Sequence, residues 1–564
     1  MGIGHRQTRK EDSGWMRRHW RLRIITLALL LMSLSAEGVR AAPSPGEFVA
    51  TGYAPATDGT TVVWLSSEDP AGVYAMREGD HEPFLVYAPP PQIGIDKVGI
   101  SGDLVVWQQY GGDGIPAVRG KNLATGHEFD VAITESFEYL RGIFGTTVLW
   151  QEAQGASTSL KARDLATMAP PVTIRTIPAD RLLLDAAIWE DRVAWVEREN
   201  YERGLIYVAT IGDEPILVQE GIAFGLGGLD LVENLLVYTM SDARVVVHDL
   251  VTEQSQVLFV GDQVSVRNPR TNGRYIFVDT SGCHGYRCSV REFVGYDRET
   301  DSRFTVPTGN TLTELVLMAR GDMLVWGQWG GVWGAGGSES SAVPEIHAVP
   351  ISSVLPSAPR PAPSDSSTAW RYFPETGHYL SNGFKEYWEE SGGLPVFGFP
   401  LTEEFSQIQV NPFTIRTVQY LERQRFEYHP EHAGTPYEVE LGRLGAEDAA
   451  RRGLLDNLAF APLPGDTPND ANCTFFPQTG HRLCFGFKEY WESHGLEFGD
   501  PGVSYRESLA LFGYPISEEF TDPDTGLTVQ YFERARFEFH PDNPEPHRVL
   551  LGRLGADLVT ARGW

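Results

Sequence analysis

Between residue 45 and about residue 352 one short phrase returns seven times, and its spacing restricts the chain more than any other feature. Each copy is a glycine or polar turn residue followed by a strand that ends on an aromatic or apolar residue. The copies are Gly59-Thr-Thr-Val-Val-Trp64, Gly102-Asp-Leu-Val-Val-Trp107, Gly145-Thr-Thr-Val-Leu-Trp150, Glu190-Asp-Arg-Val-Ala-Trp195, Glu233-Asn-Leu-Leu-Val-Tyr238, Gly273-Arg-Tyr-Ile-Phe-Val278 and Gly321-Asp-Met-Leu-Val-Trp326. Their last residues are 43, 43, 45, 43, 40 and 48 positions apart, and the runs carry no helical pattern.

A period in the forties built from strands is the signature of blades set around an axis. Within each period a second strand follows (Ala162-Arg-Asp-Leu165, Val247-His-Asp-Leu250, Gly295-Tyr-Asp-Arg298) and then a short apolar one (Phe129-Asp-Val-Ala132, Ile216-Leu-Val218, Val257-Leu-Phe259). That makes about four strands per period. The expected fold is mainly β: a seven-bladed β-propeller over 45–352, followed by two small α+β repeat modules. The last period lacks a clear outer strand after Ile346-His-Ala-Val349, and Phe48-Val-Ala50 is the candidate to supply it and leave no sheet edge open. These phrases resemble TolB-like and WD40-like propellers over just over half of the chain, a resemblance that implies fold rather than function. The repeated tryptophans read as core residues wedged between blades.

Motifs for propeller chemistry are sparse. Thr57-Asp58-Gly59 is out of register for the turns of propeller sialidases, and no Gly-x-Ser-x-Gly occurs. Glycosidase propellers converge three carboxylates on a central channel. Asp103, Asp185, Glu190 and Asp230 are available, but no sequence argument gathers three of them. In Gly327-Gln-Trp329-Gly-Gly-Val-Trp333, a glycine frame presents Trp329 and Trp333, either to stack on a sugar or aromatic ligand or to fold back onto the propeller.

A Pro/Ser-rich spacer is expected over 353–369. Beyond it one module is written twice, over 370–452 and 473–564, with a linker at 453–472. Residues 370–388 and 473–491 match at 12 of 19 positions, and 417–430 and 528–541 at 11 of 14. Phe384, Tyr387 and Trp388 share one face of a short helix, as do Phe487, Tyr490 and Trp491. Thr-Val-Gln-Tyr and Arg-Phe-Glu-Phe alternate as a hairpin, with Val529, Tyr531, Phe537 and Phe539 on its expected buried face. Tyr372-Phe-Pro-Glu-Thr-Gly-His378, the Tyr-Trp helix and Phe397-Gly-Phe-Pro-Leu-Thr-Glu-Glu resemble the LGFP repeat of secreted and cell-envelope bacterial proteins, with Phe397 and Phe512 in place of its leucine. The resemblance implies attachment to an envelope.

The polar residues shared by both copies are the candidate ligand contacts: His378 and His481, Glu403 and Glu404 with Glu518 and Glu519, and Arg423 and Arg425 with Arg534 and Arg536. His429 and His540 recur as well. A histidine beside a carboxylate can transfer protons, yet no Ser or Cys nucleophile recurs with these. The alternative is structural: the histidines bond a turn, and the glutamates cap or pair with the arginines. Asp522-Pro-Asp524-Thr-Gly526 reads as a hairpin turn rather than a calcium loop.

Residues 1–41 read as a signal peptide. Arg17, Arg18, Arg21 and Arg23 form a basic start, Ile24 to Leu34 is apolar, and Val39-Arg40-Ala41 offers small residues for cleavage. No stretch is long and apolar enough for a stable transmembrane segment. An oxidising compartment suits two disulfides, Cys283–Cys288 and Cys473–Cys484; Trp370 and Ser381 replace the latter pair together in the first copy. Neither His284 nor His481 has enough ligands at zinc spacing, and no metal or cofactor is expected. A net charge of -29 with no basic stretch after the leader excludes nucleic acid as a partner. The expectation is a secreted or envelope-associated binding protein, its propeller an interaction platform for a protein or polysaccharide and its paired modules attached to the cell envelope. The alternatives are a propeller-based glycan-active enzyme and a protein–protein assembly factor.

Overall fold

The computed structural model describes residues 48–564 except 81, 112–115, 134–135, 200–202, 222–227, 241–243, 261–263, 285–286, 307–314, 330–343, 364–366, 411–412, 466 and 499–500. The expected signal peptide and Trp333 lie outside the described residues, as do the side chains of Trp329, Cys283 and Cys288.

The chain is mainly β. The first residue of every repeated phrase adopts a left-handed backbone, from Gly59 (φ 104°) to Gly321 (φ 53°), and Glu190 and Glu233 do so at φ 54° without being glycine. These are the tight turns that join the first two strands of successive antiparallel sheets, and such turns require φ > 0. Four-stranded sheets form at 53–87, 94–132, 137–177, 182–221 and 229–260, then at 264–306, and finally at 315–350 together with Phe48–Thr51. The N-terminal strand pairs Phe48 with Ala348 and Ala50 with Ile346, the closure expected from the sequence.

The first strand of each sheet packs on the first strand of the next, and that of the seventh packs on that of the first. Apolar cores fill the gaps between neighbouring sheets. Trp107 packs against Val63 and Val73 of the first sheet, Trp195 against Leu149 and Leu160 of the third, and Trp64 against Val325 and Ile346 of the seventh. The terminal residues of all seven phrases are buried. The arrangement is propeller-like, and the repeated tryptophans are its inter-sheet core.

The sixth sheet is extended. Its outer strand, Ser302–Val306, pairs with Phe405–Val410 of the first C-terminal copy, making one eight-stranded sheet that runs to Val439–Leu441. The core between the sixth and seventh sheets takes in Phe405, Tyr420 and Leu444 of the first copy and Leu554, Leu558 and Val559 of the second. The segment expected as a spacer does not hold the copies away: Val354, Leu355 and Ala358 are buried, the first two in that same core. Its apolar residues find a binding surface that composition alone does not reveal.

The two copies share a second core. Phe384, Trp388, Phe397 and Phe426 of the first cluster with Phe487, Trp491, Phe512 and Phe537 of the second. Helices Asn382–Glu390 and Phe485–Ser493 bury the aromatic faces expected of them. The residues inserted in the second copy supply helix Tyr505–Phe512, started by a Ser504/Glu507 capping box. Each hairpin forms, but Phe539 lies at the surface while Gln530 and Arg536 are buried. The hairpin is covered on both faces, one by apolar residues and one by a polar network, so simple alternation misplaces its end.

The copies also exchange their terminal helices. Helix Leu444–Arg451 of the first docks on Phe532-Glu533 of the second, where Ala446 N donates to Glu533 O at 3.1 Å. Helix Leu554–Ala561 of the second docks on Leu421-Glu422 of the first, where Ala556 N donates to Glu422 O at 3.1 Å. Arg443 pairs with Glu533 at 2.8 Å and Arg553 with Glu422 at 2.6 Å. The repeated Leu-Gly-Arg-Leu-Gly-Ala phrase is therefore a reciprocal docking element. Cys473 and Cys484 are disulfide-bonded across strands Cys473–Phe476 and His481–Cys484, and Trp370 and Ser381 pair at the same register in the first copy. The backbones of Cys283 and Cys288 also pair directly, in a hairpin of long strands rather than a short loop.

Candidate functional site

The first strands of five sheets are interrupted by β-bulges: between Tyr53 and Ala56, Ile95 and Lys97, Leu140 and Gly142, Leu183 and Asp185, and Arg267 and Arg270. A bulge adds an unpaired residue and re-aims its neighbours. Here the bulges deliver charged side chains to one cavity of about 460 Å³, lined by the first strands of all seven sheets. Lys97, Arg141, Arg270 and Arg320 face it, with Asp58, Asp96, Asp185 and Asp230.

Hydrogen-bond accounting separates these groups. Arg320 and Asp230 form a two-pronged pair at 2.7 and 2.9 Å. Arg270 donates to the carbonyls of Leu317 and Leu229, both at 3.1 Å. Asp58 accepts from Thr60, Thr61 and Gly102. Asp96 accepts from Gln108 at 3.2 Å, and Asp185 from the Ala186 and Leu229 amides at 2.9 and 3.2 Å. The carboxylates are thus already served. One cation is not: Arg141 reaches Leu184 O and Gln151 but leaves a buried Nε with no acceptor. Lys97, half-buried beside it, is drawn toward Asp185 and Asp96.

Burial lowers Lys97 to about 8, working with Arg141 and Arg270 against the pull of Asp185. The same loss of solvent lowers Arg141 from its ordinary value, again opposed by Asp185. Cationic donors converging on one cavity suit an oxyanion, which would pair with them and raise Lys97 back toward its ordinary value. Sequence reasoning missed Lys97 and Arg141 because bulges break the two-residue period. It looked instead for three convergent carboxylates, and Glu190 and Asp103 are not in this cavity. A larger cavity, about 570 Å³, lies between turns of the second and third sheets, but its titratable lining is only Asp103 and His127.

In the C-terminal copies, buried His378 places Nδ1 3.1 Å from Glu403, whose same oxygen accepts from Tyr379 N. His481 stands 3.3 Å from Glu518, which accepts from Arg482 N at 2.9 Å. The histidines bond the Glu403 and Glu518 side chains. Arg425 instead binds Glu427, Glu447 and the Tyr420 hydroxyl. Arg536 binds Glu538 and Asp557, and reaches Asp448 of the other copy. Arg534 donates to Leu441 O at 3.1 Å, also across the copies, and Arg423 lies 3.9 Å from Glu422. Glu404 and Glu519 are exposed.

A cavity of about 330 Å³ lies where the copies meet, walled in part by Tyr387, Tyr437, Glu440, Phe498, Arg506 and Tyr514. Beside it His429, His432 and Glu440 each bring a donor atom within 4.8 Å of the others, the one such set of three among the described residues. Scanning the sequence at zinc spacing missed it, because Glu440 comes from a different strand.

No family model matches the chain, and no curated protein matches it. Among solved structures it is similar to a prolyl endopeptidase, at 13% identity over 50% of this chain and 45% of that one, TM-score 0.39. It is similar to an oligogalacturonate lyase from Vibrio parahaemolyticus, at 12% identity over 53% and 82%, TM-score 0.35. It is also similar to the β-propeller domain of the Trilobed protease from Pyrococcus furiosus, at 10% identity over 44% and 83%, TM-score 0.34. The chain spans about half the length of the peptidases it matches. The likeness is one of propeller-like fold alone. No described helix is long and apolar enough to cross a membrane.

Proposed function

We propose that this is an extracytoplasmic binding protein: a seven-bladed propeller whose central cavity captures an oxyanion, a carboxylate or phosphate on a sugar or peptide. Two LGFP-like modules are fused to its sixth blade and attach it to envelope polysaccharide. The observation that carries the reading is the convergence of Lys97 and Arg141 on the central cavity, with a buried Arg141 Nε that has no hydrogen-bond partner. Burying a cation without a partner costs several kcal/mol, and a bound anion removes that cost. Trp329 and Trp333 remain candidates for contact with the sugar.

The test is calorimetric titration of the mature chain with glucuronate and inorganic phosphate. One of them binds the wild type at one equivalent and K97M at least about tenfold more weakly, a loss of roughly 1.4 kcal/mol. Unchanged affinity in K97M removes the assignment.

A lysine with its pKa brought near neutrality also suits proton transfer, which favours the enzymatic alternative on the same residue. K97R separates the two. It keeps the charge, and with it anion binding, but abolishes turnover of an acidic glycan if Lys97 is a base.

A further inference from the structure

We propose that the first C-terminal copy binds a divalent transition ion, zinc by its donor chemistry, on His429, His432 and Glu440. His429 caps and His432 ends the single 3-10 turn Pro430–His432, so their rings lie on one side, stacked at 5.6 Å with 6° between planes. Glu440, on strand Val439–Leu441, puts Oε1 3.3 Å from His432 Nδ1. Two imidazoles and a carboxylate are a three-donor set that leaves a further position open on a tetrahedral ion.

The independent observation is at His429. Its Nε2 is buried and has no hydrogen-bond partner. Its Nδ1 lies 3.2 Å from Glu431 Oε1 and 3.0 Å from Arg416 Nη1. Arg416 can only donate, so in the metal-free chain Nδ1 accepts from it and Nε2 carries the proton, 3.8 Å from Glu427 Oε2 and without a hydrogen bond. An ion at Nε2 selects the other tautomer, in which Nδ1 donates to Glu431 while Arg416 keeps Glu431 at 3.0 Å. A carboxylate holding one histidine nitrogen so that the other faces a metal is the recurrent outer-sphere arrangement of metal sites. An ion at Nε2 accounts for a nitrogen that the fold leaves unsatisfied.

The second copy is an internal control. Its strand pairs Glu538 with Leu550 in the register in which the first pairs Glu427 with Glu440. Asn543 N bonds His540 O as His432 N bonds His429 O. The second copy therefore keeps the first histidine, as His540, but has Asn543 and Leu550 in place of the other two donors. The same fold forms without the trio, so packing does not explain it. Glu440 also walls the cavity between the copies, which sets the ion at the rim of that cavity.

The test uses the untagged mature chain and the variant H432N/E440L, whose new residues are those the second copy already carries at these places. Equilibrium dialysis against Zn2+ with metal analysis returns one tightly held equivalent for the wild type. The variant holds it at least about tenfold more weakly, since even outer-sphere losses cost that much. Zn2+ raises the unfolding temperature of the wild type and not of the variant. Without metal, the variant's circular dichroism and unfolding temperature match those of the wild type, which separates a lost ligand from a lost fold. The proposal is overturned if the wild type holds no equivalent, or if the variant holds it as tightly.

Discussion

Gly555 stands so close to Leu421 that a Cβ on it would lie 1.8 Å from the Leu421 carbonyl oxygen, and Gly445 stands in the same relation to Phe532 at 2.0 Å. Each glycine admits the backbone of the other copy. Neither copy therefore completes its own packing, and removing one exposes the core of its neighbour and of the sheets beneath.

G555A should lower stability by about 3 kcal/mol, the upper end of the ordinary cost of overpacking, because the obstacle is backbone and cannot swing aside. Urea unfolding measures it. G383A is the matched control: its Cβ would meet nothing nearer than Val439 at 4.0 Å, and alanine in a helix gains roughly 0.5–1 kcal/mol. Equal losses in both variants would refute the docking account.

Lys97 carries a pH signature. Its folded pKa, about 8, lies below the ordinary 10.5. Between those values the unfolded chain holds the extra proton, so this group makes stability rise with pH. At pH 7 the charged lysine is a burden, and K97M should stabilise the anion-free protein by about 1–3 kcal/mol. The advantage should shrink toward pH 10. A gap that is the same at pH 7 and pH 10 contradicts the assignment.

Asp230 should behave in the opposite sense. Its buried carboxylate neutralises Arg320 across the cavity wall at 2.7 Å. D230A leaves that guanidinium unpaired and should cost about 3–5 kcal/mol. D230A/R320M should recover most of the loss. A double variant no more stable than D230A would show that the pair is not what the fold depends on.

The Cys473–Cys484 bond closes a loop of sequence separation 11. C473S/C484S should lower stability by about 2–3 kcal/mol and leave the fold intact, since the first copy pairs Trp370 with Ser381 at the same place. Loss of cooperative unfolding in this variant would mean that the bond is needed to form the strand pair at all.

The legible parts of the chain were those that repeat. Seven strand ends, six aromatic and one Val278, announced the sheets, the unpaired Ile346–Val349 strand called for Phe48–Ala50, and Phe384 with Trp388 marked a helix face. What stayed hidden depends on exceptions to period or on a distant backbone. Lys97 and Arg141 reach the cavity through bulges that a two-residue pattern treats as noise. The glycines of Leu-Gly-Arg-Leu-Gly-Ala looked like local turns because their obstacle belongs to the other copy. Glu403 took His378 rather than Arg425 because Arg425 already lies among Glu427, Glu447 and Tyr420. His432 and Glu440 carried a readable signal in their absence from the second copy, but attention to what the copies share passes over what only one has.

The most direct measurement is the location of an oxyanion in the crystal. Wild-type crystals soaked in selenate should show an anomalous peak within hydrogen-bond distance of Lys97 Nζ in the cavity that Arg141 also lines, and K97M crystals treated alike should show none. A central cavity without selenate in the wild type, at concentrations that saturate any site seen in solution, would contradict the account.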